Sequence, residues 1–404
     1  MNVLLAPHGT RGDVQPMLAL AIALRARGHV VSFVAPDNFV GWLQTYGFDA
    51  IGNGIDIERL LRTEGADLDS IRWQAHHFVA VMIPTLFDTV ARAAPDAQLI
   101  VGSGVQLAAA SIAEARGVPY ATALFCPCII PSGAAPPPTV RTQTLPSWLN
   151  RALWLIGRPA ADLLLRRPIN RQRARLGLPA DPAPLTTALG ELIIVAADRD
   201  LAPLPDEAPD HIVGTDAWIL DDAAELDLHV ERFLDDGPPA VYVGFGSMVA
   251  GQPAELAAQS IAAIRSIGAR ALVVGGWAGL ERFVAEDDNV LAVSATPHAA
   301  VLPRVAAVMH HGGAGTTTAA ARAGKPQIIV PHILDQFYWA HRVAQLGIGP
   351  RALPLPLVTA DVLAERIDRA VNDPAIVGRA ATLGRAIADR NGVATAAELL
   401  EALV

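Results

Sequence analysis

The chain has 404 residues, a length that predicts two domains of about 200 residues each. Apolar residues make up 52% of the chain and charged residues 18%, a composition that supports large hydrophobic cores and excludes an intrinsically disordered protein. The formal net charge of −9 gives no electrostatic reason to expect a nucleic-acid partner.

Short apolar runs alternate with helical patterns from the first residues onward. Val3–Ala6 predicts a buried strand, Met17–Arg27 a helix, and Val30–Ala35 the next strand. The alternation returns further along the chain in Leu99–Val101, Ile112–Arg116 and Tyr120–Leu124. Strands that alternate with helices are typical of a parallel α/β sheet, so residues 1–208 are predicted to form a first domain of this kind.

One internal segment interrupts this alternation. Ala134–Pro146 contains three consecutive prolines and is predicted to be a surface loop. Beyond it lies a basic, partly amphipathic stretch that contains Arg158, Arg166, Arg167, Arg171, Arg173 and Arg175. Such a stretch fits a membrane surface, an acidic ligand or a solvated helix face, and the solvated face is the commonest of the three.

A segment rich in proline and aspartate follows, and it predicts an interdomain linker at 209–238. The alternation then restarts in Ala240–Val243, Ala254–Ile267, Ala271–Val274, Val290–Val293, Val305–Met309 and Gln327–Val330. We predict a second domain at 239–385 and a C-terminal helix at 386–404 that can pack back on the first domain. The expected fold class is α/β, with two Rossmann-like domains facing a cleft, and ligands should bind beyond the carboxyl ends of the strands.

The two cysteines, Cys126 and Cys128, are separated by a single proline. This spacing is poor for a disulfide and supplies too few ligands for zinc. The N-terminus lacks the basic region and cleavage site of a signal peptide, and no stretch reaches the ~20 apolar residues that a membrane span needs. These features, together with the sparse thiols, predict a cytoplasmic protein without a transmembrane segment.

The segment His310–Thr318 is rich in glycine and precedes a predicted short helix, Thr317–Ala323. Glycines let the backbone approach an anion closely, and a helix start offers unpaired N–H groups and the positive end of the macrodipole. His311 can donate to a phosphate oxygen, while Thr316 can supply a hydroxyl and cap the helix. The alternative is a tight strand–helix turn with a capping threonine, which does not explain the two histidines, three glycines and three threonines together.

Motifs in both halves of the chain resemble those of one known family. The pattern His311-x-Gly-x-Gly315-Thr316, followed by Asp335-Gln336, resembles the donor-binding signature of family 1 glycosyltransferases of the GT-B fold. Three further motifs fit the same family: Gly244-Phe245-Gly246-Ser247, Gly276-Trp277 and Pro297-His298-x-x-Val301-Leu302-Pro303. Near the N-terminus, the stretch from Gly9 to Pro16 resembles the bacterial natural-product and sterol glucosyltransferase branch, which includes the glycopeptide-antibiotic enzymes.

The resemblance implies transfer of a hexose or deoxyhexose, with inversion, from a UDP- or dTDP-sugar to a hydroxyl of a hydrophobic natural-product or sterol-like acceptor. It implies the following donor-binding residues: Ser247, Pro297, His298, His311, Gly313, Gly315, Thr316, Asp335 and Gln336. Asp335 and Gln336 would bind sugar hydroxyls, although Asp335 could also cap the next helix. Ala319 stands where plant-type members carry a ribose-binding glutamate, so both uridine and thymidine stay open.

Asp13 is the predicted catalytic base, because it follows the first strand and inversion requires a group that takes the proton of the acceptor hydroxyl. Many relatives carry histidine at this position. An aspartate with an ordinary pKa of about 3.9 is a weak base, so burial would have to raise its pKa. Two alternatives are that Asp13 caps the following helix or pairs with Arg11. Plant-type members have a supporting aspartate near the position of Gly102-Ser103-Gly104, which offers no carboxylate, so Asp13 acts alone or with His8 or another group.

Candidate acceptor-binding residues are Phe78 and Met82, which lie in a stretch with apolar residues at helical spacing, and Phe125, which follows a predicted strand. Apolar walls suit a hydrophobic acceptor. Packing in the core is the alternative, and it is the commoner role of such a stripe.

The sequence predicts no metal and no cofactor besides the nucleotide sugar, because no dense acidic cluster or Asp-x-Asp motif lies in a predicted site loop. A monomer or a dimer is expected. A nucleotide-sugar epimerase of the same fold and a non-catalytic binding homologue remain alternatives. A nicotinamide dehydrogenase is disfavoured, because the Gly-x-Gly-x-x-Gly pattern is missing after the first strand.

Overall fold

The structure, a computed structural model, describes residues 1–64, 75–221, 225–247 and 253–404. In these residues twelve strands form two parallel sheets, with α-helices between most successive strands. The predicted α/β fold with two Rossmann-like domains is therefore confirmed.

The first domain is built on a parallel sheet whose strands are β1 Asn2–His8, β2 Val30–Ala35, β3 Asp49–Gly52, β4 Leu99–Gly104, β5 Tyr120–Leu124, β6 Leu192–Val195 and β7 Ile212–Gly214. Their spatial order is β3-β2-β1-β4-β5-β6-β7. Because β1 pairs with β2 on one side and with β4 on the other, the strand order reverses between β1 and β4. The carboxyl ends of these two strands, at His8 and Gly104, thus open the crevice in which such sheets bind ligands.

The second domain contains β8 Val241–Gly244, β9 Ala271–Val274, β10 Val290–Val293, β11 Ala307–His310 and β12 Gln327–Ile329. The order β10-β9-β8-β11-β12 reverses between β8 and β11, where His310 pairs with Gly244. The loops that follow these two strands carry Ser247 and His311. In each sheet, residues of the sequence motifs therefore lie at the switch point, where the strand order reverses.

The helices lie on both faces of the sheets, which explains why β1 and β5 are buried and apolar over most of their length. In the first domain they are α1 Arg11–Ala26, α2 Asp37–Thr45, α3 Ile57–Glu64, α4 Ile83–Ala93, α5 Ala109–Arg116, α6 Ser147–Arg175 and α7 Pro184–Thr187, with a π-helix at Ala75–Met82. After β7 they are α8 Leu228–Asp235, α9 Pro253–Ser266, α10 His298–Val301, α11 Ala314–Arg322, α12 Gln336–Leu346, α13 Ala360–Asn372, α14 Pro374–Ile387 and α15 Val393–Glu401. Short 3-10 turns lie at Pro127–Ile129, Gly276–Ala278, Leu280–Phe283, Leu302–Arg304 and Leu355–Leu357.

The last helix returns to the first domain. Val393, Ala396 and Leu400 of α15 are buried in the same hydrophobic core as α1. At the end of the helix, Glu401 accepts hydrogen bonds from Arg27 at 2.7 Å and from His29 at 2.8 Å. The chain thus crosses between the domains twice.

The segment predicted as a linker, 209–238, is partly ordered. It contains β7, which pairs in parallel with β6, and α8. The first sheet therefore extends to Gly214, and the prediction that the domain ends at residue 208 misses its edge strand. The strand is only three residues long and stands among prolines and aspartates, which hide it in the sequence pattern.

A buried ion pair joins the domains near this crossing. Asp198, which follows β6 and is fully buried, lies 3.3 Å from the guanidinium of Arg322 at the end of α11. Arg322 also donates to the carbonyl oxygens of Ala388 and Arg390. One guanidinium therefore links the first domain, the end of α11 and the segment that leads into α15.

The two cysteines pair in the structure, although their spacing in the sequence is poor for a disulfide. The 3-10 turn Pro127–Ile129 folds the chain between them and brings the Cα atoms to 5.3 Å. Both side chains are buried in the core. Among the described residues, no helix is both long enough and apolar enough to cross a membrane.

Candidate active site

The start of α1 places Asp13 at the carboxyl end of β1. Thr10 is the N-cap residue, and the Oδ2 atom of Asp13 accepts a hydrogen bond of 2.8 Å from the backbone N–H of Thr10. This is a capping box, so the helix-cap alternative correctly describes one carboxylate oxygen. The other oxygen, Oδ1, has no hydrogen-bond partner among the described residues. It lies beside Gly104, where a Cβ atom would stand 3.0 Å from it.

Burial raises the pKa of Asp13 to about 7. The hydrogen bond from the Thr10 backbone works in the opposite direction, because it stabilises the carboxylate. The negative charge of Asp335, in the second domain, raises the pKa further. A carboxyl group with this pKa is ionised in part at neutral pH and binds a proton much more strongly than an ordinary aspartate does.

Neither of the other groups considered beside Asp13 pairs with it. The guanidinium of Arg11 stacks over the Trp42 ring, with Cζ 4.9 Å from the centroid, and its Nε donates to Gln15 at 2.8 Å. His8 is buried, and its Nδ1 atom lies 2.9 Å from the Asn53 amide nitrogen. Burial lowers the pKa of His8 to about 4, so the imidazole is neutral and accepts this hydrogen bond.

The glycine-rich loop is shorter than predicted, because α11 begins at Ala314 rather than Thr317. Gly313 is the N-cap residue and no side chain caps the helix, so the prediction that Thr316 is the cap is wrong. Thr316 instead lies in the first turn together with Ala314 and Gly315. The backbone N–H groups of these three residues have no intrahelical acceptor. The first turn is therefore uncapped, as are helix starts that hold phosphates.

A chain of hydrogen bonds gives the loop its shape. The Nδ1 atom of His310 accepts a hydrogen bond of 3.1 Å from the backbone N–H of Gly312. Its Nε2 atom donates to the side-chain oxygen Oε1 of Gln327 at 2.9 Å. The Gln327 amide donates in turn to the backbone oxygen of Thr317 at 3.2 Å. Sequence reasoning did not identify Gln327, although a buried glutamine at the start of an apolar strand is a signal of such a role.

His311 is enclosed by backbone. A Cβ atom at Gly313 would overlap its Nε2 atom, and one at Gly246 would lie 3.1 Å from its Cε1 atom. Burial, followed by the neighbouring histidines His310, His332 and His298, lowers its pKa well below the ordinary value, so the ring is neutral. Its Nδ1 atom is buried and has no hydrogen-bond partner among the described residues. An imidazole that has one unsatisfied nitrogen and whose Nε2 side lies against the uncapped helix start fits a phosphate oxygen.

His298 is held by a residue that the sequence analysis missed. The hydroxyl of Tyr242, on β8, lies 3.0 Å from His298 Nε2, and the two rings meet edge to face. Burial lowers the pKa of His298 to about 4, and the positive charge of Arg11 lowers it further. Arg11, on the first domain, therefore lies close to α10 of the second, whose N-cap residue is Pro297.

The carboxylate of Asp335 does not cap α12. Its Oδ2 atom instead accepts a hydrogen bond of 3.1 Å from the indole of Trp339, and burial raises its pKa to about 6. The Oε1 atom of Gln336 accepts the backbone N–H groups of His332 at 2.7 Å and Ile333 at 3.1 Å. Leu334, which immediately precedes Asp335, has a φ of +49°, so the turn that carries Asp335 is held in a strained conformation.

The two acceptor candidates with described side chains, Met82 and Phe125, lie in different hydrophobic clusters. Met82 is buried in the core of the first domain, as the core alternative expected. Phe125 packs edge to face on Trp218, with ring centroids 6.0 Å apart. The side chain of Phe78 lies outside the described residues.

The cleft also brings aromatic rings of the two domains together. The ring centroid of Phe39, on α2, lies 6.0 Å from that of Trp277 and 6.2 Å from that of Trp42. Within the described ranges, no group of three or more His, Cys, Asp or Glu side chains is arranged to hold a metal ion.

Two facing Rossmann-like domains, each with its switch point at the cleft, are the architecture of the GT-B fold. The crystal structure of CalG4, the calicheamicin glycosyltransferase, has this fold and superposes with a TM-score of 0.75 at 19% identity, over 100% of this chain and 98% of that one. Residues 3–132 match the glycosyltransferase family 28 N-terminal domain, and residues 280–403 match the erythromycin biosynthesis protein CIII-like C-terminal domain.

Sequence comparison identifies the branch. The chain is 39% identical to glycosyltransferase GtfE of Amycolatopsis orientalis, over 100% of this chain and 98% of the relative. It is 37% identical to the vancomycin aglycone glucosyltransferase of the same organism, over 99% and 97%. The chain therefore belongs to the GT-B glycosyltransferases of antibiotic biosynthesis, in the group that contains the glycopeptide enzymes, and the predicted resemblance is confirmed.

Proposed function

We propose that the chain is an inverting glycosyltransferase that moves a hexose or deoxyhexose from a UDP- or dTDP-sugar to a hydroxyl of a hydrophobic natural product, with Asp13 as the general base. The observation that carries this proposal is the state of Asp13: its Oδ1 atom has no hydrogen-bond partner among the described residues, its pKa is about 7, and it lies at the cleft. The alternative of a sterol-like acceptor stays within the same hydrophobic class.

The uncapped start of α11 would hold the diphosphate of the donor. Backbone N–H groups of Gly315 and Thr316 and the positive end of the helix dipole offer fixed electrostatic stabilisation to the leaving group. His311, aligned by Gly313, would donate to a phosphate oxygen, and Ser247 would approach from the facing loop. No step in this arrangement calls for a metal ion.

The nucleobase and the sugar of the donor would contact other residues of the second domain. Pro297 and His298 would face the nucleobase, with the imidazole oriented by the hydroxyl of Tyr242. Asp335 and Gln336 would bind the sugar, the former with the carboxylate oxygen that Trp339 does not occupy.

In the reaction that we propose, the acceptor oxygen attacks the anomeric carbon while its proton passes to Oδ1 of Asp13. The bond from the anomeric carbon to the phosphate oxygen breaks, and the electron pair leaves on the nucleoside diphosphate. Attack from the face opposite the leaving group inverts the anomeric centre. Asp13 must be ionised before the reaction, and it releases the proton to water afterwards.

The donor and acceptor can be identified in one series of assays. One relative is a vancomycin aglycone glucosyltransferase and another is a dTDP-epi-vancosaminyltransferase, so the vancomycin aglycone is the first acceptor to test, with UDP-glucose and dTDP-sugars as donors. A glycosylated product whose anomeric configuration is opposite to that of the donor, determined by NMR, would support the proposal. Isomerised nucleotide sugar in the absence of acceptor would instead identify an epimerase, and retention of configuration would exclude the inverting mechanism. We expect the reaction to take place in the cytoplasm, by a monomer or a dimer.

A further inference from the structure

The long helix α6 exposes a continuous apolar face. Five large side chains on it, Trp148, Leu155, Ile156, Leu163 and Leu164, are 64% to 76% exposed. Their spacing of seven or eight residues places them along one side of the helix, over a length of about 24 Å at 1.5 Å per residue. Isolated exposed leucines are common on protein surfaces, but an aligned row of this length marks a contact surface.

The opposite face of α6 is anchored, so the apolar side is fixed outward. The Asn150 amide donates to the backbone oxygen of Gly133 at 3.0 Å, and Asp162 accepts the backbone N–H of Leu185 at 2.8 Å. Near the end of the helix, Arg173 is buried and pairs with Glu114 at 2.7 Å. The apolar row therefore cannot turn inward without breaking these bonds.

Positively charged side chains lie next to one end of the apolar face. Arg167 and Arg171 lie one and two turns beyond Leu163 and are exposed. In the part of the chain that the structure describes, neither has a carboxylate partner. The only acidic residue of α6, Asp162, is buried. In a chain whose net charge is −9, this helix thus concentrates cations beside exposed apolar side chains.

We infer that the face formed by Trp148, Leu155, Ile156, Leu163 and Leu164, with Arg167 and Arg171 at its end, binds an anionic lipid surface. A helix with a large apolar face, flanking arginines and a terminal tryptophan is suited to lie in the interface of a bilayer. The high exposure of all five apolar side chains describes a ridge, which lipid chains can surround without a complementary groove. Two copies of this face would bring arginines together with no exposed acid on the helix to neutralise them, which disfavours self-association.

The experiment uses the full chain and vesicles of phosphatidylcholine, with and without phosphatidylglycerol, in a sedimentation assay. We expect binding to the anionic vesicles that weakens with added salt, and little binding to phosphatidylcholine alone. The double variant Arg167→Gln/Arg171→Gln should bind about thirtyfold more weakly, since each basic residue near an anionic surface contributes a factor of about five. Leu163→Glu should abolish binding. Leu357→Glu, which changes an exposed leucine outside α6, should bind like the unmodified chain. All of these variants should have the same thermal stability as the unmodified chain.

Three results would overturn the inference. One is an absence of binding to anionic vesicles. Another is unchanged binding by Leu163→Glu. The third is a dimer of the unmodified chain, seen by analytical ultracentrifugation, that Leu163→Glu converts to a monomer, because the face would then be an interface between copies of this chain.

Discussion

The carboxyl groups of Asp13 and Asp335 belong to different domains, and the charge of one affects the proton of the other. Asp13 lies in the first turn of α1, whereas Asp335 immediately precedes α12. Burial is the main reason that the pKa of Asp13 is raised to about 7, and the negative charge of Asp335 adds to the effect. The pKa of Asp335, about 6, means that it is mostly ionised when Asp13 titrates. The proposed base and the proposed sugar-binding residue are thus electrostatically coupled across the cleft.

This coupling predicts the pH dependence of transfer. Because Asp13 must be ionised, kcat/KM should rise with pH and level off above about pH 7, the pKa of Asp13. Asp335→Asn removes a negative charge, so the pKa of Asp13 should fall and the acidic limb should move to lower pH, apart from any loss of sugar binding. The measurement is kcat/KM from about pH 5 to pH 9.

The control for that profile is Asp227→Asn, which alters the N-cap of α8. It should leave the acidic limb in place. An unchanged limb in Asp335→Asn would show that the two carboxyl groups are not coupled in solution.

His311→Ala should weaken nucleoside diphosphate binding. The imidazole is neutral and its Nδ1 atom is unsatisfied, so its hydrogen bond to a phosphate oxygen would be gained only when the donor binds. The expected loss is about 1.5–3 kcal/mol, or roughly tenfold to more than a hundredfold in Kd. Isothermal titration calorimetry with UDP and dTDP measures it. His341→Ala, on α12, is the matched control, and equal affinities of the two variants would contradict the assigned role of His311.

Arg322→Met should destabilise the fold much more than the loss of a surface ion pair. It leaves the fully buried carboxylate of Asp198 without its cation and removes two hydrogen bonds to backbone oxygens. The free energy of unfolding should fall by about 3–5 kcal/mol. Urea unfolding followed by circular dichroism measures this loss.

Arg265→Met is the surface comparison, since its partner Asp287 is about half exposed. That substitution should cost less than about 1 kcal/mol. Similar losses in the two variants would mean that the pair between Asp198 and Arg322 does not hold the domains together.

Much of the fold could be predicted from local pattern. The strands of both sheets are short apolar runs. The segment from His310 to Thr318 can be recognised from its glycines, which stand between a strand and a helix. The start of α11 was misplaced because Gly313, Ala314 and Gly315 have the composition of a loop. Ala314 and Gly315 are nevertheless helical, and the hydrogen bonds of His310 and Gln327 fix the turn before them.

The chemistry of the site depends on residues far apart in the sequence, which a local pattern cannot reveal. The pKa of Asp13 depends on burial and on a charge 322 positions away, at Asp335 (335 − 13). The role of Tyr242 in holding His298 depends on where β8 and α10 meet. Helical spacing at Met82 fits both a core position, the commoner role, and an acceptor wall, and the structure assigns this side chain to the core.

The most direct test of the proposed mechanism is the single-turnover rate of sugar transfer by Asp13→Asn, measured alongside its affinity for the nucleoside diphosphate. An amide keeps the shape of the side chain but cannot take the acceptor proton, so transfer should fall by about a hundredfold to ten-thousandfold while donor affinity stays within about twofold of the unmodified chain. Asp227→Asn should transfer at the normal rate. Undiminished transfer by Asp13→Asn would contradict the assignment of Asp13 as the base.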